Sequence, residues 1–114
     1  MAQLPEAKTT EVLKLQQRLL SIMHEATAVS FWILERYGET EETLADLEQL
    51  DNTKERADRY YSRFYTLLRR IADAQPKADS AMLELLTTAL AEAQATAHAL
   101  EATIAETKRD WHLS

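Results

Sequence analysis

The stretch KERADRYYSRFYTLLRR carries Lys54, Arg56, Arg59, Arg63, Arg69 and Arg70. Arg56, Arg59, Arg63 and Arg70 recur at the spacing that places side chains on one helical face, with Tyr60 and Tyr65 interleaved. Guanidinium forks hold carboxylates or phosphates in pairs of hydrogen bonds, and aromatic rings stack on flat ligands. Such a stripe suits an acidic peptide, or the acidic segment of a second copy that holds Glu39, Glu41, Glu42, Asp46, Glu48 and Asp51. The competing reading is a solvated face tied to Glu55, Asp58 and acids of neighbouring helices by weak ion pairs. A net charge of −6 opposes nucleic acid as the ligand.

Little else has the spacing of chemistry. The histidines are His24, His98 and His112, and helical metal bundles hold their ions with Glu-x-x-His on facing helices. No glutamate stands three residues before any of them, and Glu101 follows His98 in the reverse order. Cysteine is absent, which removes thiol nucleophiles, thiolate metal sites and disulfides. A single glycine cannot build a phosphate loop, and serines on helices lack a base partner. The expectation is a non-enzymatic chain with no catalytic, metal or cofactor residues.

The elements that must position these side chains are helical. One Gly and two Pro among 114 residues are too few for the turns of a β fold. Hydrophobic residues at 46% and charged residues at 28% fit one folded domain spanning 1–114, with 1–5 and 113–114 frayed. No signal-like segment or membrane-length apolar run stands out, so no membrane insertion and a cytoplasmic location are expected.

Apolar residues Val12, Leu15, Leu19, Ile22, Ala26, Val29 and Ile33 alternate spacings of three and four, the seam of a long packed helix over 6–37. Leu13, Leu20, Met23 and Leu34 widen that stripe, and Gly38 supplies the C-terminal cap. Thr40 caps a second helix with Glu41 and Glu42 at its positive end. Its seam reads Leu47, Leu50, Lys54, Ala57, Tyr61, Phe64, Leu68 and Ile71. The lysine in the seam and a cap-like Asn52–Glu55 leave this helix continuous, or kinked or broken near 51–53. Gln75–Pro76 ends it. A third helix, capped by Asp79 or Ser80 or starting near Pro76, carries Leu83, Leu86, Leu90, Ala93, Ala97, Leu100, Ile104, Thr107 and Trp111.

Short connections make an elongated, antiparallel up-down-up three-helix bundle. Folding at the loops sets Tyr37 level with Trp111, Ile33 near Thr107, His24 near His98, and Ile22 with Lys54 and Ala97. Leu19, Ala57 and Ala93 then form a layer thin in side-chain volume. The run Phe31-Trp32-Ile33-Leu34 covers every side of its helix, and Phe31 lies nearly opposite the seam. Either the tail around Trp111 covers these rings, or a ring stays exposed, or a partner covers it; Trp and Phe are enriched at binding hot spots.

The expected function is therefore a protein–protein interaction module (adaptor, assembly factor or regulatory subunit) that self-associates as a homodimer. Phe31, Trp32, Tyr37 and Trp111 are its apolar anchors, and Arg56, Arg59 and Arg63 its charged ones. The alternatives are a chaperone-like shield for a client's amphipathic helix, suggested by the thin layers, and a bundle holding a small hydrophobic ligand.

Overall fold

A computed structural model describes residues 6–73 and 80–113. It contains α1 (Glu6–Tyr37), α2 (Glu41–Asp73) and α3 (Ser80–Asp110), and no strand among the described residues. The helices run up, down and up in a rod of 57 × 18 × 17 Å. The proline turn after α2 and a cap at Asp79 lie outside the described residues.

The connection between α1 and α2 is built by three residues. Gly38 adopts φ 72°, and its N–H donates to the Leu34 carbonyl at 3.0 Å. This closes α1 with one left-handed residue. A Cβ at Gly38 would meet nothing within 4 Å, so the glycine is there for its backbone freedom and not for space. Thr40 Oγ1 then accepts the Thr43 N–H at 3.1 Å, while Thr43 Oγ1 accepts the Thr40 N–H at 2.8 Å. That is a reciprocal capping box with threonine where glutamate is usual, and Thr43 also donates to the Gly38 carbonyl. With all its bonds made, Thr43 can sit buried in the core.

α2 is unbroken through 51–53. The core position assigned to Lys54 belongs to Thr53, which is buried with its hydroxyl returned to the Gln49 carbonyl at 3.0 Å. Lys54 is exposed. A short side chain that satisfies its own hydroxyl along the helix can face the core, whereas an ammonium there would need a partner.

Tyr37 meets Trp111 as folding at the loops placed it, but along the middle of the bundle the vertical register of α3 differs from that simple folding. Arg18 pairs with Glu101, Lys108 with Glu25, and Gln94 with Glu11, three cross-links between parallel helices at the same sequence separation of 83. Gln16 donates to the Tyr61 carbonyl, and Tyr60 meets Thr96, which fixes α2 between them. Ile22 therefore lies level with Ile104, about two helical turns further along α3 than Ala97. On that register Leu19 and Ala57 fall nearest Leu100, and Val12 and Phe64 nearest Ala93. The small Ala93 thus falls opposite the large Phe64, and Ala57 opposite Leu100. The shift also separates His24 from the level of His98.

α3 ends in a left-handed cap. His112 has φ 57°, the Leu113 N–H donates to the Lys108 carbonyl at 2.8 Å, and the His112 N–H to that of Arg109 at 3.2 Å. This paired arrangement ordinarily carries an apolar residue just past the cap, and Leu113, expected at a frayed end, is buried in the core.

Candidate functional site

α1 is apolar on two opposite faces. The inner one, from Val12 to Ile33, is buried. Leu13, Leu20 and Leu34 do not widen it as the sequence suggested: they are 54%, 48% and 45% exposed, beside Phe31 at 57%. Of the widening residues only Met23 packs against the core. The run at 31–34 thus resolves by position. Ile33 fills the core, Phe31 and Leu34 face solvent, and Trp32, 41% exposed, lies on the flank between them and α3.

Trp111 is committed differently. Its indole N–H donates to Asp46 at 2.6 Å, its carbonyl accepts the Tyr37 hydroxyl at 2.8 Å, and the two rings stand 4.9 Å apart at 54°. Arg36 adds a longer bond, 3.4 Å, to the His112 carbonyl. The tail therefore closes one end of its own bundle with Tyr37, Trp111 and Leu113, and leaves Phe31 and Trp32 exposed.

Arg56, Arg59 and Arg63 line the groove between α2 and α3, in part with Leu100 and Thr103. Arg63 reaches Glu92 at 3.9 Å, a loose and exposed pair, and neither Arg56 nor Arg59 has an ion-pair partner among the described residues. This groove lies across the bundle from the outer face of α1. The arginines and Phe31 accordingly belong to separate surfaces, and one small partner could not engage both.

A third recess, between α1 and α3, has a volume of about 310 Å³ and is lined by Ser21, Ile22, Glu25, Glu101, Ile104, Ala105 and Lys108. Its ionic groups are already paired. Arg18 grips Glu101 with two bonds of 2.6 and 2.8 Å, and Lys108 holds Glu25 at 2.9 Å. The bond to Arg18 lowers the Glu101 pKa from its ordinary value, against partial burial and with help from the charges of Arg18 and His98. The same bond raises that of Arg18.

A carboxylate lowered in the folded state contributes stability that is present above its unfolded pKa and lost as pH falls through the folded one. Glu101→Gln should therefore flatten the acid side of the stability–pH curve. Because both side chains are about a third or more exposed, the loss at neutral pH should stay within about 1 kcal/mol. Urea titrations between neutral pH and pH 3 check this; an unchanged acid limb would remove the pair from the account.

Among the described residues no group of three or more His, Asp or Glu is placed to hold a metal ion. No described helix is long and apolar enough to cross a membrane. No protein-family profile, curated protein or solved structure matches this chain.

Proposed function

We propose that this chain is a non-catalytic helical interaction module that self-associates, with the outer face of α1 as its contact surface. One observation carries the reading. Phe31, Trp32, Leu34, Leu20 and Leu13 stand exposed on a helix whose opposite face already fills the core. Single exposed apolar residues are ordinary, but five large ones along one helix are the usual mark of a surface that meets another protein. Adaptor, assembly and regulatory roles all need such a face and no catalytic groups. Arg56 and Arg59, across the bundle, are free to take a second, acidic partner at the same time. The chaperone-like reading has less support, because the register sets Ala93 against Phe64 and Ala57 against Leu100.

Light scattering on a sizing column tests the reading, with wild type beside a Phe31→Ala, Trp32→Ala double variant. The expected result is a wild-type dimer and a variant of unchanged helicity that elutes as a monomer. A wild type that stays monomeric at millimolar concentration would overturn self-association.

A further inference from the structure

The exposed residues of α1 are not scattered. Leu13, Gln17, Leu20, His24, Thr27, Phe31 and Leu34 alternate spacings of four and three, and every one of them is exposed. This is a second heptad seam, spanning roughly 30 Å, on the side of α1 away from the core. Leu13, Leu20, Thr27 and Leu34 occupy one of its two core positions, and Gln17, His24 and Phe31 the other. A heptad seam is the pattern by which one helix packs against another, and no helix among the described residues packs on this one.

We propose that the helix it meets is α1 of a second copy, packed antiparallel across a two-fold axis. The proposal rests on the self-association reading above and adds to it the residues and the orientation. Running the seam against itself in the opposite direction sets Leu20 against the partner's Phe31, Gln17 against the partner's Leu34, and His24 against the partner's Thr27. The two-fold repeats each pairing, so bulky residues meet near both ends and the polar ones collect at the centre.

Charge complementarity selects this direction. Lys14 and Glu35 occupy the same flanking position of the seam, one near each end, and neither has an ion pair among the described residues. In the antiparallel pair each Lys14 comes beside the partner's Glu35, twice per dimer. In a parallel pair the same two residues would flank Thr9 and Ser30, and no opposite charges would meet. Parallel packing would also stack Gln17 on Gln17 and His24 on His24. Flanking charges of this kind set partner and direction in helix pairs more than they set strength.

The test is sedimentation equilibrium on the full chain with four variants: Leu20→Glu, Lys14→Glu, Glu35→Lys, and the last two combined. All three positions are exposed, so each variant should keep its helicity, which circular dichroism checks. Leu20→Glu removes both contacts with Phe31 and should weaken the dimer by about 100-fold or more. Each single charge reversal should weaken it by about 3- to 10-fold, and the double reversal should restore it to near wild type.

A double variant no better than the sum of its parts would overturn the antiparallel pairing. A wild-type dimer indifferent to Leu20→Glu but dissolved by Phe31→Ala with Trp32→Ala would overturn the seam while leaving self-association standing. A monomeric wild type would overturn both.

Discussion

Phe64→Ala is expected to cost about 3–5 kcal/mol of folding stability, a large part of what a domain of this size has. Phe64 is among the largest of the fully buried side chains, and the cross-links that set the register bring it opposite Val12 of α1 and Ala93 of α3. Removing the ring leaves a void that two long, straight helices cannot close, because closing it would shift every layer above and below. The register makes a second, sharper demand. Ala93→Leu alone should overpack the same layer, at about 1–3 kcal/mol. Combined with Phe64→Ala, the leucine should occupy the vacated volume, and the pair should be more stable than the sum of the single losses by more than about 0.5 kcal/mol. Urea unfolding followed by circular dichroism measures all four chains of this cycle. Simple additivity would place Phe64 and Ala93 in different layers and would undo the register.

That register is the part of the fold the sequence conceals. Helix number, order and the ends of α1 are written in local signals: the unbroken seam from Val12 to Ile33, Gly38 where a positive φ is needed, and Thr40 before two glutamates. The level of α3 depends instead on pairings between helices, Arg18 with Glu101, Lys108 with Glu25 and Gln16 with the Tyr61 carbonyl, and no spacing within one helix reports such matches. The exchange of Thr53 for Lys54 has a related cause. Leu50, Ala57, Phe64 and Ile71 keep one heptad position buried along α2, and its companion lies three residues on, at Thr53 and Leu67, and not four; where α1 and α3 stand around α2 sets that choice, and spacing within the helix does not report it. The outer seam of α1 is a different case, because its signal was present. Leu13, Leu20 and Leu34 share a heptad position of their own, but beside a stronger seam they read as its margin. Burial separates the two, since Leu13, Leu20 and Leu34 stay exposed among the described residues while the opposite face fills the core.

Trp111 shows how the same kind of residue can carry opposite meanings at the same end of a rod. Trp111→Ala is expected to lower stability by about 2–3 kcal/mol, less than a fully buried tryptophan because the ring is only partly covered. The change removes the ring that packs on Tyr37 and withdraws the donor from Asp46. Trp111→Phe keeps most of the ring and removes the N–H, which should cost about 1.5–3 kcal/mol, the range for a hydrogen bond to a charged group. Both losses should appear in thermal unfolding of the isolated chain at any concentration, because the contacts lie within one molecule. Trp32→Ala should do the reverse: unfolding of the dilute monomer should stay within about 0.5 kcal/mol of wild type, since an exposed ring has few intramolecular contacts to lose. Any effect of Trp32 should then grow with protein concentration, as mass action requires of a contact between copies. A concentration-independent loss at Trp32, or a concentration-dependent one at Trp111, would reverse the two assignments and make Trp111 the anchor and Trp32 the seal.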